Sequence, residues 1–479
     1  MHLTTKNKAN KFKLFKGFFT NSIGILVSRI LGFLRDILTA SSLGAGVWSD
    51  IFFIAFKMPN LFRRLFGEGA FTQAFLPGFV NARKKGLFCA SVLIKFFIFI
   101  MFLTLLVNLL TPLFTKFLAI GFNKETIDMA IPYVRINFWY LSFIFLVTLF
   151  ASLLQYKGHF ATTAFSTALL NISMIISLIL AKNKPDETVV LYLSIGVVIG
   201  GFLQFLVHLI ALKKTKMLKI LKFGFIGLKK GRKAQTKGFY KNFFHGVVGS
   251  SAAQIGSFID TWFASFLTFG SISYLYYANR IFQLPLALFA IALSTALFPK
   301  IAKSLNQKND KVALNMLSKA FHLLFALLIF STIGGIILSK EIIWLLFERG
   351  AFTRADTINS SLVLAMYMIG LLPFGLAKIF SLWLYSKNKQ NIAAKITIQS
   401  LIINIISCAI FVKPFGAAGL ALASSIGGFY LFFMTLKEFG FKKFLDIISF
   451  KKIFVILIIC MIEIVLLLIF KEFMNDYLR

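Results

Sequence analysis

From residue 17 to residue 470 the chain is a succession of apolar runs of about 18 to 25 residues, separated by short polar segments. A run of that length, wound at about 1.5 Å per residue, covers the roughly 30 Å hydrocarbon core of a bilayer as one helix. The pattern predicts thirteen helical spans, at 17–40, 46–67, 87–111, 131–155, 160–181, 188–212, 242–269, 273–299, 312–338, 357–384, 391–411, 416–437 and 452–470. No series of ten-residue alternating segments competes with them, so a β-barrel is not predicted.

Composition agrees with the pattern. Hydrophobic residues make up 58% of the 479 positions and the mean hydropathy is +0.83, well above the 45–50% apolar content typical of soluble domains. The fold class is therefore an all-α polytopic membrane protein. A formal charge of +35 would suggest nucleic acid in a soluble chain, but here the cations fall in particular loops. Lysines crowd the N-terminus (Lys6, Lys8, Lys11, Lys13, Lys16), the 81–86 and 300–311 loops, and the segment 213–241, which has no acidic residue. Intervening loops are uncharged, mixed or acidic. This alternation places the N-terminus on the cytoplasmic side, with the basic loops against anionic phospholipids. The basic start resembles a secretory signal, yet Arg29, Arg35 and Asp36 interrupt its apolar stretch, and it is expected to stay as the first span. Cys89, Cys408 and Cys460 lie in apolar runs without CxxC spacing, and the five histidines are scattered, so no disulfide framework or metal centre is expected.

The basic stretch divides the spans into six and six with one to spare. The expected organisation is an N-terminal lobe over 1–215, a basic cytoplasmic linker over 216–241, a C-terminal lobe over 242–440 and an extra helix within 441–479. With an even number of spans each, the lobes would be parallel repeats related by a pseudo-two-fold axis along the membrane normal. Met58-Pro59 followed by Phe75-Leu76-Pro77 is echoed by Leu284-Pro285 followed by Phe298-Pro299. A louder echo, LFGEGAFTQA at 65–74 against LFERGAFTRA at 346–355, falls at non-equivalent places and reads as coincidence.

Charges inside the spans carry the candidate chemistry. The chain uses 41 lysines and only 11 arginines, yet Arg29, Arg35, Arg63 and Arg64 cluster in the first two spans and Arg280 sits in the eighth. Guanidinium offers a rigid fork of donors that fits phosphate or carboxylate oxygens two at a time. Burial in lipid costs several kcal/mol per charge, so these groups are expected to face a polar cavity. Arg29 and Asp36, seven residues apart, share a helix face, and Lys57, Arg64 and Glu68 share another. Pro59 should kink the second span, and Gly67 and Gly69 permit a break after it. Asp36, Asp50 and Glu68 offset only part of the positive charge. The competing reading has these charges pairing with one another to clamp helices. Lys378, in the tenth span, is a further candidate for the cavity. Asp260 could hold a proton or a sodium ion, or equally make an interhelical hydrogen bond. Lys95 and Arg135, near span ends, are expected to reach back to the interface.

SRILGFLRD (28–36) and SDIFFIAFKMPNLFRRLFGEGAFTQAFLPGF (49–79) resemble the lipid II flippase family, MurJ, formerly MviN. The resemblance continues through LLNISM (169–174), DTWFASFL (260–267), YYANRIFQLP (276–285) and AKIFSLWLYS (377–386), about residues 17 to 440. It implies two six-helix lobes in a V around a central cavity. It also implies a flippase that moves the undecaprenyl-diphosphate disaccharide-pentapeptide from the inner to the outer leaflet of a bacterial cytoplasmic membrane by alternating access. Cavity residues carried over from the family are Arg29, Arg35, Asp50, Arg63, Glu68 and Arg280. Three departures stand out. Asn279 precedes Arg280 where an Asp is common, Lys389 replaces an acid of a sodium site found in some members, and a fourteenth helix is missing. The second argues against sodium coupling and leaves the membrane potential or another ion. No cofactor is implied, and the wall-synthesis machinery is a conceivable partner.

Two other functions compete with this one. A flippase for another lipid-linked oligosaccharide or polysaccharide unit would share the fold, whereas exporters of cationic drugs would carry acid-rich cavities. An enzyme acting on lipid-linked sugars would need paired carboxylates or a His-acid pair, and none stands at catalytic spacing.

Overall fold

The computed structural model describes the backbone of residues 2–64 and 70–477, and the side chains of 23–64, 71–247 and 255–474. Among these residues the chain is helical with no strand. It forms two compact units, one comprising residues 1–43 and 47–254, the other 44–46 and 255–479.

The first unit opens with α1 (His2–Leu43), α2 (Val47–Phe62) and α3 (Ala70–Asn81). Helix α2 runs through Pro59 and widens to a π-helical turn at Arg63 and Arg64. The apolar run predicted to end at 67 is thus followed by a further helix, α3, because Pro77 lies inside a helix rather than ending one. Next come α4 (Lys85–Leu109), the short α5 (Thr111–Leu118), α6 (Lys124–Phe138), α7 (Tyr140–Tyr156), α8 (Ala161–Leu180) and α9 (Asp186–Lys214). Asn123 caps α6 by accepting the Thr126 N–H. Helix α1 lies on α8, with Gly24 so close to Ala164 that a Cβ there would come within 2.6 Å. The basic segment forms α10 (Met217–Lys229), packed on α4, and α11 (Lys237–Ala264) starts in this unit. An aromatic core joins α3, α4, α7 and α11. Phe71 lies 5.6 Å from Phe96, 5.8 Å from Phe145 and 5.6 Å from Phe239, with rings edge to face.

The second unit repeats this order. Helix α12 (Ser271–Pro285) passes through a π-helical stretch, Leu286–Ile291, into α13 (Ala292–Asn306). Each unit therefore has a Pro followed by π-helical hydrogen bonding, and a second Pro a few turns later, at 59 and 77 and at 285 and 299. Helices α14 (Asp310–Ile337), the short α15 (Ser339–Phe347), α16 (Arg354–Ile369) and α17 (Leu371–Ser386) follow in the order of α4 to α7. A reciprocal capping box between Thr353 and Asp356 starts α16. Helix α18 (Gln390–Phe439) is two helices joined at Gly416, whose φ of +55° only glycine adopts readily. They match the predicted spans 391–411 and 416–437. The louder sequence echo has its second copy in the turn between α15 and α16, which corresponds to the α5–α6 turn and not to the end of α2.

Helix α19 (Phe441–Ile447) and α20 (Phe450–Tyr477) close the chain. Helix α19, the turn after it and α20 are each tied to α14 by a polar contact. Ser318 donates to the Ile447 carbonyl at 2.6 Å, the Ser449 N–H donates to His322 Nε2 at 3.0 Å, and Lys471 Nζ donates to the Ile337 carbonyl at 2.8 Å. Among the described residues, nine helical stretches are long and apolar enough to cross a membrane, and they contain ten of the thirteen predicted spans. The predicted spans at 17–40, 46–67 and 242–269 fall on α1, α2 and α11.

Candidate substrate-binding site

In the first unit the structure separates the cations into two kinds. Arg35 is 4% exposed and Asp36 is 2% exposed. Arg35 donates to Asp36 Oδ1 through Nη2 at 2.5 Å and Nε at 3.1 Å, and its Nη1 reaches Asn171 Oδ1 on α8 at 3.1 Å. Asn171 Nδ2 returns a hydrogen bond to the Ser28 carbonyl at 2.9 Å. Gly32 faces Asn171 closely enough that a Cβ would stand 3.3 Å from its Nδ2. Through Asn171 this arrangement fastens α1 to α8, while the Arg35–Asp36 ion pair itself stays within α1.

Arg29, by contrast, is exposed on α1. Arg29 and Asp36, on the expected shared face, thus differ in depth, Asp36 being buried and Arg29 exposed. Asp50, 1% exposed, occupies the first turn of α2, where the helix dipole favours an anion. Lys57, Arg63 and Arg64 are half-buried along α2. Asn60 Oδ1 accepts from Arg63 Nε at 3.1 Å and Nη2 at 2.9 Å, which fixes the direction of the fork. At Arg63 and Arg64 the helix widens to a π-helical turn, which shifts the register of these side chains relative to Lys57. Glu68, Gly67 and Gly69 lie outside the described residues. Between residues 29 and 64 five cations stand against two acids, an excess of three positive charges.

In the second unit Arg280 is half-buried on α12. Its Nη2 donates to Tyr276 Oη at 2.8 Å and its Cζ lies 5.0 Å from the Tyr276 ring centre, so a neighbour one turn back holds the guanidinium. Asn279 accepts from Gln283 on the same helix. Lys378 is exposed on α17, between the buried Ala377 and Ile379. Asp260 on α11 accepts from Ser424 Oγ at 3.3 Å, Cys408 Sγ lies 3.8 Å from its other oxygen, and Asn404 donates to Ser424 at 3.2 Å. Its carboxylate thus joins α11 to both halves of α18. Lys389 lies 3.8 Å from Glu438. Lys95 lies 5.8 Å from the Tyr240 ring, and Arg135 donates to Thr111 at 3.4 Å.

Sequence reasoning did not single out Asn60, Asn171, Tyr276 or Ser424. Asn171 and Tyr276 stand inside stretches that carry the family resemblance, but nothing in one sequence shows that they orient an arginine on another helix or another turn. Glu463, in the middle of α20 and facing Gly334 of α14 at 3.8 Å from where a Cβ would stand, was also missed.

Comparison with known proteins gives the family. The model described as "Lipid II flippase MurJ" matches residues 39–478. The chain belongs to this family. A probable lipid II flippase MurJ from Helicobacter pylori strain ATCC 700392 / 26695 is 49% identical over 449 residues, covering 91% of this chain and 97% of the relative. A counterpart from Aquifex aeolicus is 33% identical over 426 residues, covering 86% and 81%. A solved structure of a lipid II flippase MurJ in an inward closed conformation superposes with a TM-score of 0.76 at 29% identity, covering 96% of this chain and 99% of that one. A multidrug resistance MATE family transporter of the MOP superfamily gives a TM-score of 0.68 at 13% identity, covering 87% and 94%, a likeness of fold alone. The chain is thus a multi-pass membrane protein of a transporter family. Arg29, Arg35 and Asp36 precede the part that the family model matches, and the other candidate residues lie within it.

Proposed function

We propose that this protein flips lipid II, the undecaprenyl-diphosphate disaccharide-pentapeptide, from the inner to the outer leaflet of the bacterial cytoplasmic membrane by alternating access. The observation that carries this reading is the match of nearly the whole chain to relatives named for that activity, at up to 49% identity. The cations add a chemical reason. Arg29, Lys57, Arg63 and Arg64 leave an excess positive field in the first unit, and a diphosphate is the headgroup part that forked guanidinium donors hold best. Arg280 and Lys378 are further phosphate donors, with Asp50 and Glu68 available to re-pair with cations on release. Arg35 and Asp36 take part by holding α1 in place.

A membrane potential negative inside favours outward movement of an anion by about 2.3 kcal/mol per charge per 100 mV. It is the proposed drive, with no cofactor and no chemical step. Hydrogen bonding from Ser424 suits Asp260 to a structural role, and Lys389 speaks against a sodium site that uses that position. The alternation of basic loops supports an N-terminus in the cytoplasm, and anionic phospholipids at the basic loops and the wall-synthesis machinery are the proposed partners. Depletion in cells tests the function. Lipid-linked precursor should accumulate on the cytoplasmic leaflet while wall synthesis stops, and normal outer-leaflet supply would overturn the reading.

A further inference from the structure

The segment 213–241 holds eleven lysines and arginines and no acid, and the structure folds its middle into α10. A helix of 13 residues is about 20 Å long, too short to cross the hydrocarbon core. It starts right after α9, the chain turning through Lys216 at a φ of +60°. Its inner face is fixed. Met217 and Leu221 are buried, and Gly224 meets Gly86 of α4 so closely that a Cβ on Gly224 would fall 2.0 Å from the Gly86 carbonyl oxygen. Gly227 accommodates Leu87 in the same way, at 2.7 Å.

The outer face mixes two chemistries. Phe223 is 71% exposed and Ile226 41% exposed. Around them Lys219, Lys222, Lys229 and Lys230 are exposed as well, as are Arg83 and Lys84 just before α4, the helix that α10 crosses at Gly86. An apolar body ringed by cations and free of acids is the surface that lies in a bilayer interface, rings among the acyl chains and ammonium groups among the phosphates. An acidic protein or a nucleic acid would satisfy the lysines but would leave Phe223 in water.

We propose that the outer face of α10 is a docking surface for the anionic phospholipids of the leaflet at that end of the spans, held rigidly by the Gly86–Gly224 crossing. This deepens the proposed contact of the basic loops with anionic phospholipids and rests on it, but it does not depend on lipid II being the cargo, since it requires only that α9 crosses the membrane. Its role is to gather negatively charged lipid beside the first unit.

The test uses the full-length protein in bilayer nanodiscs of mixed phosphatidylglycerol and phosphatidylcholine. After mild extraction the retained lipids are counted by mass spectrometry. The wild type should retain phosphatidylglycerol in excess. Replacing Lys219, Lys222, Lys229 and Lys230 together by Gln should lower that excess by about threefold or more, given the attraction of each cation to an anionic surface. Replacing Lys182, Lys184 and Lys340 by Gln, of which the first two sit at the opposite end of α9, should not. A Phe223→Trp variant, compared with the parent, should show added quenching by bromine on the acyl chains, more with brominated phosphatidylglycerol than with brominated phosphatidylcholine. Equal retention of the two lipids, equal loss in the control variant, absence of added quenching, or displacement of lipid by an acidic protein or nucleic acid would each overturn the proposal.

Discussion

At the scale of single residues, arginines that look alike in the sequence divide by what lies across from them. Arg35 has Asp36 beside it and Asn171 on α8, whereas Arg29, six residues earlier on the same helix, is exposed. The resulting predictions differ. Asn171→Leu removes the acceptor of Arg35 and the donor to the Ser28 carbonyl, leaving buried polar groups unsatisfied at about 1–3 kcal/mol. It should lower the melting temperature of the purified protein, whereas Arg29→Ala should leave that temperature within a degree or two and abolish flipping. Arg63→Lys keeps the charge but loses the fork that Asn60 orients, so its flipping rate should fall between wild type and Arg63→Ala. The cation cluster was legible because arginine is scarce in a lysine-rich chain. The division of labour within it was not, because Asn171 is 136 positions from Arg35 and no spacing rule connects them.

Long apolar runs marked most elements in advance, including the two spans that α18 joins at Gly416. The short helices α3, α5, α10, α15 and α19 were not legible. Each is below the length of a span, and each takes its stability from a neighbour rather than from its own pattern. Helix α10 shows the dependence, since its close backbone approach to α4 at Gly86 and Gly224 follows from no local pattern. A Gly224→Val substitution would place side-chain atoms on the Gly86 backbone and should displace α10, seen as rapid amide exchange over 217–229 with α9 still protected. At α20, His322 Nε2 accepts from the Ser449 N–H, so Nδ1 must carry the proton that faces the Ser318 carbonyl at 2.7 Å. His322→Leu removes this latch and should speed exchange of the Ser449 amide about fivefold to tenfold, as expected for losing roughly 1 kcal/mol of hydrogen bonding.

For the whole molecule, the pattern of two proline-bearing helices, each with π-helical hydrogen bonding after its first proline, gives the internal repeat a structural basis that the sequence echo suggested only faintly. Membership of the lipid II flippase family and the cation excess of α1 and α2 come from separate observations, one from whole-chain likeness and one from side-chain chemistry. Both lead to a diphosphate-linked lipid as the cargo. The measurement that joins them is lipid II translocation in cells that carry Arg63→Ala as the sole copy, with membrane abundance checked alongside. Loss of outer-leaflet lipid II at normal abundance is the result this account predicts, and wild-type translocation by that variant would contradict it.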